Sequence, residues 1–71
     1  MKPSVGRIVF FHSPFLSDSI SEFPAIITRV WSDICVNLTI FPNNGNMILR
    51  ISVIQDEEMN QEIGWRWPPK I

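Results

Sequence analysis

The chain has 71 residues, a formal net charge of −1 and one cysteine. A chain of this length forms one domain, which we place at residues 1–71. Its six Lys and Arg residues are spread along the sequence, which argues against binding of long nucleic acids, because that requires clustered positive charge. A single cysteine excludes an internal disulfide, and no apolar run approaches the ~20 residues of a membrane helix, so we expect a cytoplasmic protein without a membrane partner.

The first half of the chain contains two predicted strands separated by a long loop. Residues 5–11 are rich in β-branched and aromatic side chains, and Gly6 is expected at a bulge or a close backbone approach. Residues 12–24 contain two prolines and four serines, which predict a loop. Residues 25–31 are predicted to form the second strand, which ends at a short turn.

The third predicted strand, residues 34–41, has the clearest alternation on the chain. Its polar face carries Cys35, Asn37 and Thr39. Such alternation predicts one buried and one solvated face. Phe41 follows on the outward register, where an aromatic side chain indicates either self-association or local packing. The residues predicted to point inward are Ile34, Val36, Leu38 and Ile40.

The fourth predicted strand, residues 47–54, follows a hairpin loop at residues 42–46. The Asn44-Gly45 dipeptide in this loop accepts positive φ at little cost, which is typical of a tight hairpin. Simple alternation then predicts that Arg50 and Ser52 point outward. The same alternation predicts an inward orientation for Leu49, Ile51 and Val53.

The C-terminal part completes the predicted fold. Residues 55–63 are polar and acidic and are predicted to form a solvated loop. Residues 64–67 form a short last strand, because Pro68-Pro69 cannot sustain ladder pairing. Five short strands without a helix predict an all-β protein, a small five-stranded SH3-like barrel, in which curling the sheet removes exposed edges. An OB-like barrel is the second possibility, but it would normally contain a helix.

The segment Gly64-Trp65-Arg66-Trp67 is the strongest candidate for a ligand site. In an extended strand Trp65 and Trp67 share one face and Arg66 lies on the other. The two indoles either plug the open end of the barrel or form a platform for a flat ligand, where stacking contributes ~1–3 kcal/mol per base.

Further candidate contacts come from the two predicted strands at the start of the chain. Trp31 is expected on the same face as Arg29, either at the barrel rim or in an exposed patch with Phe41. Because Arg66 points away from the indoles, phosphate contacts are expected from Arg7 or Arg29, from Arg50, or from a second subunit.

No residue set indicates a reaction. His12 is the only histidine, and we interpret it as a loop histidine at a strand end with a local hydrogen bond. Cys35 lacks the electropositive setting of a reactive thiol, and Asp56-Glu57-Glu58 lacks the alternating pattern of a calcium loop. We therefore expect no enzyme activity, no metal site and no cofactor.

The opening Val5-Gly6-Arg7-Ile8-Val9-Phe10 and the ending Gly64-Trp65-Arg66-Trp67-Pro68 together resemble a family of small uncharacterised bacteriophage and prophage proteins. In that family the start resembles VGRIVHY and the end resembles GTWHWP. This chain has Phe10-Phe11 where His-Tyr is frequent and Arg66 where His is frequent, so a site built on those histidines does not transfer. The resemblance implies a phage-encoded accessory protein with an SH3-like barrel in the host cytosol, and it supplies no activity.

These observations lead to two functional expectations. The first is a non-enzymatic accessory protein that sequesters a small ligand, a nucleotide-derived host immune signal, in an oligomer with pockets between identical subunits. The second is a protein-interaction or structural module that binds a host or virion protein through the last strand or through the side that carries Trp31 and Phe41.

Overall fold

A computed structural model describes residues 2–16, 21–42 and 46–69 of the chain. These residues form one antiparallel sheet in the order β4-β3-β2-β1-β5. None of them forms a helix, so none belongs to an apolar helix long enough to cross a membrane. The strands are β1 (Ile8–His12), β2 (Glu22–Val30), β3 (Cys35–Ile40), β4 (Ile48–Ile54) and β5 (Gly64–Arg66).

The sheet curls so that its two edge strands meet at one end. Gln55, just after β4, forms an isolated parallel bridge with Trp65 of β5. The Asp56 N–H then donates to the Trp65 carbonyl oxygen at 2.7 Å. The result is a curled half-barrel of five strands, which confirms the prediction of an all-β fold of the small SH3-like barrel type.

The core lies on the concave side of this sheet. Alternate residues of β1, β2 and β3 point into it, and one large indole from β5 fills its centre. Burial of each large side chain contributes about 1.5–3 kcal/mol relative to exposure. The buried apolar residues are Val9, Phe11, Phe23, Ala25, Ile27, Val36, Leu38, Ile40, Val53 and Trp65.

Two strand starts differ from the sequence prediction by three residues, and the other boundaries that differ do so by one. The first strand begins at Ile8 because Gly6 adopts a φ of 93° in a turn and donates its N–H to the Ile27 carbonyl oxygen. The second strand begins at Glu22, inside the predicted loop, and runs through Pro24. The Pro24 carbonyl oxygen accepts the N–H of Phe41, one residue past the end of β3, so the missing proline N–H would also point beyond the β3 ladder. The predicted Asn44-Gly45 turn lies outside the described residues.

The predicted orientation of β4 is wrong for most of its length. Leu38 pairs with Arg50 and Val36 pairs with Val53, so β4 contains one more residue than β3 between these pairs. This bulge is centred on Ser52, which has a φ of 55°. A bulge moves every residue on one side of it to the opposite face. Leu49 and Ile51 are consequently 75% exposed, and Val53 alone points inward as predicted.

Arg50 and Ile34 also depart from their predicted faces. Arg50 shares the side of its partner Leu38, although it remains exposed. Ile34 is 51% exposed because it precedes β3 and belongs to the turn after β2. Ile34 contributes to the fold through its carbonyl oxygen, which accepts both the Gln55 N–H and the Trp65 indole N–H.

Candidate functional site

The six residues predicted to bind a ligand fall into two separate places in the fold. Trp65, Arg66 and Trp67 belong to β5 and the residue that follows it, at one edge of the sheet. The other three, Arg7, Arg29 and Trp31, lie near the start of β1 and the end of β2. The sheet therefore does not bring all six into one pocket.

Trp65 is fully buried in the core. Its indole N–H donates to the Ile34 carbonyl oxygen at 3.1 Å, so its one polar group has a partner. Trp65 also faces Phe11 across the β1–β5 ladder. An indole packed on all sides holds the barrel together and leaves no ring face for a ligand.

Trp67 is half-buried and meets Trp65 edge to face. The two ring centroids are 5.4 Å apart and the ring planes are inclined by 87°. The Trp67 main-chain N–H donates to the Glu57 carboxylate at 3.0 Å, which ties the C-terminal segment to the acidic loop. An edge-to-face pair does not present the flat double platform that a stacked base requires, so this pair extends the core to the barrel rim.

Arg66 forms a bidentate salt bridge with Glu22. The Arg66 Nε and Nη2 atoms lie 2.6 and 3.0 Å from the two oxygens of Glu22. The hydrogen bond from Arg66 is the main reason why the pKa of the Glu22 carboxyl is lowered, and the same bond raises the pKa of the guanidinium. This salt bridge connects β5 to β2 across β1, and Glu22 neutralises the charge of Arg66.

Two residues of the second group, Arg29 and Trp31, contact each other and Asn37. We call these three residues the outer indole cluster. The Arg29 guanidinium carbon lies 4.0 Å from the centroid of the Trp31 ring, a cation–π contact. The Trp31 indole N–H donates to Asn37 Oδ1 at 2.8 Å. The same oxygen accepts the Ser52 N–H at 2.9 Å, so the bulge in β4 fixes the orientation of the ring.

Trp31 remains 52% exposed in this cluster, which makes it the accessible indole of the chain's three. Arg7 lies at the same end of the sheet, because its carbonyl oxygen accepts the N–H of Ile27, two residues before Arg29. The structure therefore places an exposed aromatic ring and two of the predicted arginines around the end of β2.

The chain also contains a buried histidine–aspartate hydrogen bond that the sequence prediction missed. His12 Nε2 lies 3.0 Å from Asp56 Oδ2, and the two residues are 2% and 9% exposed. The Asp56 carboxylate also accepts the N–H groups of Gln61 and Asn60, at 2.7 and 2.9 Å. The Gln61 bond is the largest cause of the lowered pKa of Asp56, with Asn60 and His12 acting in the same direction.

This pair corrects two predictions. The hydrogen bond of His12 is not local but joins residues 44 positions apart. Asp56 does not belong to a solvated loop, although its neighbours Glu57 and Glu58 are exposed. No sequence signal distinguishes Asp56 from those neighbours, because all three occur in one acidic run.

The geometry of the pair fits a structural role. A Cβ atom at Gly64 would lie 2.7 Å from Asp56 Cβ and 3.1 Å from His12 Cε1, so β5 packs directly against the pair. His12 Nδ1 is buried and has no hydrogen-bond partner among the described residues. An imidazole closed off from solvent in this way organises the loop around Asp56. The groove beside the loop is open and is lined by residues 54–56 and 60–63.

The convex side of the sheet carries a third feature, which we call the outer apolar face. One row of ladder partners crosses four strands and consists of Ile8, Ile26, Thr39 and Leu49. Phe41 lies on the outward register as predicted and is 37% exposed. The face is defined by Ile8, Ile26, Phe41, Leu49, Ile51 and Ile54, with half-buried Cys35 between them.

Comparisons of the chain with protein-family models, with curated proteins and with solved structures give no match. Within residues 2–16, 21–42 and 46–69, no group of three His, Cys, Asp or Glu side chains is arranged to hold a metal ion. The features that could support a function are the outer indole cluster, the buried His12–Asp56 pair and the outer apolar face.

Proposed function

We propose that this protein is a non-enzymatic phage accessory protein that sequesters a small, nucleotide-derived immune signal of the host. In this proposal the ligand binds at the outer indole cluster, with Trp31 stacking on the base and Arg29 contacting phosphate. The observation that supports it most is the half-exposed Trp31 ring, held in one orientation with a guanidinium 4.0 Å from its centroid.

The chemistry of the cluster suits such a ligand. Stacking of a base on an aromatic side chain contributes ~1–3 kcal/mol and does not depend on the identity of the base. A guanidinium that stacks on an indole keeps its N–H edge directed sideways, where it can bond two phosphate oxygens. Arg29 is better suited to this than Arg66, whose fork bonds Glu22.

Binding rather than catalysis is proposed because of the state of the one histidine. Its Nε2 atom bonds Asp56, and its side chain is 3% exposed. A general base must reach its substrate within hydrogen-bond distance, directly or through one water molecule. His12 is closed off from the outer indole cluster by its position on β1 under the acidic loop.

Calorimetric titration with a panel of cyclic and linear nucleotides tests the proposal. We expect one nucleotide class to bind, and Trp31→Ala and Arg29→Ala each to weaken binding by about tenfold or more, as expected for loss of a stacking or charged contact. Arg50→Ala is the matched control, because Arg50 is also exposed but lies on β4 on the opposite side of the sheet. Absence of binding across the panel would contradict the proposal.

The outer apolar face favours a second candidate, a module that binds a host or virion protein. Its observation is the exposure of Leu49 and Ile51, 75% each, on an edge strand. This candidate predicts that the protein forms a complex of fixed stoichiometry with one purified partner. Leu49→Lys should abolish that complex. Such a result, together with no nucleotide binding, would favour the interaction module over nucleotide sequestration.

A further inference from the structure

The outer apolar face contains four strongly exposed aliphatic side chains. Leu49 and Ile51 are 75% exposed, Ile8 is 59% exposed and Ile54 is 49% exposed. They lie on β1 and β4 and flank the half-buried Ile26 and Thr39, so the exposed side chains are joined into one surface across the sheet. Contiguous apolar surface of this kind marks an interaction site.

The charges around this face indicate what covers it. Among the described outward positions of β1 to β4, charged groups occur only at two corners. Arg29 stacks on Trp31 at one corner of the face, and the Glu22–Arg66 salt bridge lies at the other corner. Arg50 lies on the other side of β4. The centre of the face is thus neutral, so it offers no charge to attract an acidic or basic partner and no like charge to oppose a second copy of itself.

An interface with a second copy would take up only part of the surface of this chain. A stable interface buries roughly 800 Å² on each partner, which is about a sixth of the 4901 Å² surface of this chain. A small domain buries a smaller fraction of its unfolded surface than a large domain does, and association of identical chains is a common compensation. A two-fold interface presents the same patch twice, which requires a patch that is compatible with itself.

We infer that a second copy of this chain covers the outer apolar face, with Leu49 and Ile51 of the two copies packed face to face about a two-fold axis. This arrangement buries the side chains that the bulge at Ser52 turns outward, and it leaves Trp31 at the rim of the interface. It does not depend on the nucleotide proposal, because it follows from the face alone.

Sedimentation equilibrium of the full chain, from about 1 to about 100 μM, tests this inference. We expect a dimer for the wild type. Leu49→Lys should raise the dissociation constant at least about a hundredfold, because each dimer loses two buried leucine side chains. Val5→Lys is the matched control, because Val5 is 68% exposed but lies in the turn before β1, away from the face. It should leave the dimer intact.

Thermal unfolding of both variants separates association from folding. Both side chains are exposed in the single chain, so at a concentration where all samples are monomeric the midpoints should agree with that of the wild type. A wild type that remains monomeric across the whole range overturns the inference, and so does a dimer that Leu49→Lys leaves unchanged. A monomer that still binds a nucleotide would overturn the dimer and leave the ligand proposal standing.

Discussion

Trp65 and Trp31 show how burial decides the role of an indole in this protein. Both N–H groups are hydrogen-bonded, to the Ile34 carbonyl oxygen and to Asn37 Oδ1 respectively. Trp65 is nevertheless fully enclosed, whereas Trp31 is 52% exposed. The first ring contributes to stability through packing, and the second ring keeps surface available to a ligand. The sequence pattern singles out Trp65 and Trp67 as ligand-binding candidates, whereas in the structure Trp31 has the exposed ring.

The His12–Asp56 pair leads to a prediction about acid stability. The pKa of Asp56 is lowered from its ordinary value of 3.8, mainly by the Gln61 N–H. A lowered carboxyl pKa stabilises the fold above the ordinary value, and this contribution is lost as the pH falls through the lowered value. Asp56→Asn should therefore unfold at a lower temperature than the wild type at neutral pH, and it should lose less stability between neutral pH and about pH 3.

Thermal unfolding followed by circular dichroism across that pH range checks this expectation. Glu58→Gln is the matched control, because Glu58 is exposed and belongs to the same acidic run. Its acid dependence should match that of the wild type. Some acid sensitivity should remain in Asp56→Asn, because the pKa of Glu22 is also lowered. Equal acid losses in Asp56→Asn and the wild type would mean that the pair does not hold the loop.

At the scale of elements, β3 and β4 explain which parts of the fold are predictable from sequence. Regular alternation on β3 predicted the burial of Val36, Leu38 and Ile40 correctly, because nothing interrupts the period of two. The same rule failed on β4, because the bulge at Ser52 adds one residue and no Gly or Asn marks its position. The bulge depends on Asn37, a residue 15 positions away, which local pattern cannot reveal.

The candidate site was only partly predictable for a similar reason. The placement of Trp31 on the same face as Arg29 follows from their spacing of two residues, but the outward orientation of Arg29 depends on the register shift between Ile27 and Arg29. The burial of Trp65 follows from curling of the whole sheet, which brings Gln55 and Asp56 against β5. The partnership of His12 with Asp56 joins β1 to the acidic loop, and only the closed sheet brings these two segments together.

The bulge at Ser52 can be tested by whether Ser52→Val raises or lowers the free energy of unfolding. In a regular strand, Ser52→Val would stabilise the protein, because β-branched residues are favoured there. At a φ of 55°, a β-branched side chain is strained, and we expect Ser52→Val to destabilise the protein by about 1–3 kcal/mol. Thr39→Val is the control at a regular position of β3, and its effect should stay within about 0.5 kcal/mol.

Denaturant titration of both variants, monitored by tryptophan fluorescence, provides these free energies of unfolding. Stabilisation by Ser52→Val would mean that β4 is a regular strand. The side chains of Leu49 and Ile51 would then return to the concave side, and the outer apolar face would lose its two most exposed members.

In the whole molecule, the curled sheet separates a concave side from a convex side. The concave side and the β4–β5 junction hold the core, including Trp65 and the loop around Asp56. The convex side carries the outer apolar face and, at its corner, the outer indole cluster. In our proposals a second copy covers the face and a nucleotide-derived ligand binds at the cluster.

The most direct test of this account is to follow the three indole N–H signals by ¹H–¹⁵N NMR while the nucleotide panel is added. Trp31→Phe identifies the Trp31 signal, and Trp65 provides the internal reference because it is buried. We expect the Trp31 signal to shift with increasing ligand concentration while the Trp65 signal stays in place. Three unmoved signals, or a ligand-dependent shift confined to Trp65 and Trp67, would contradict it.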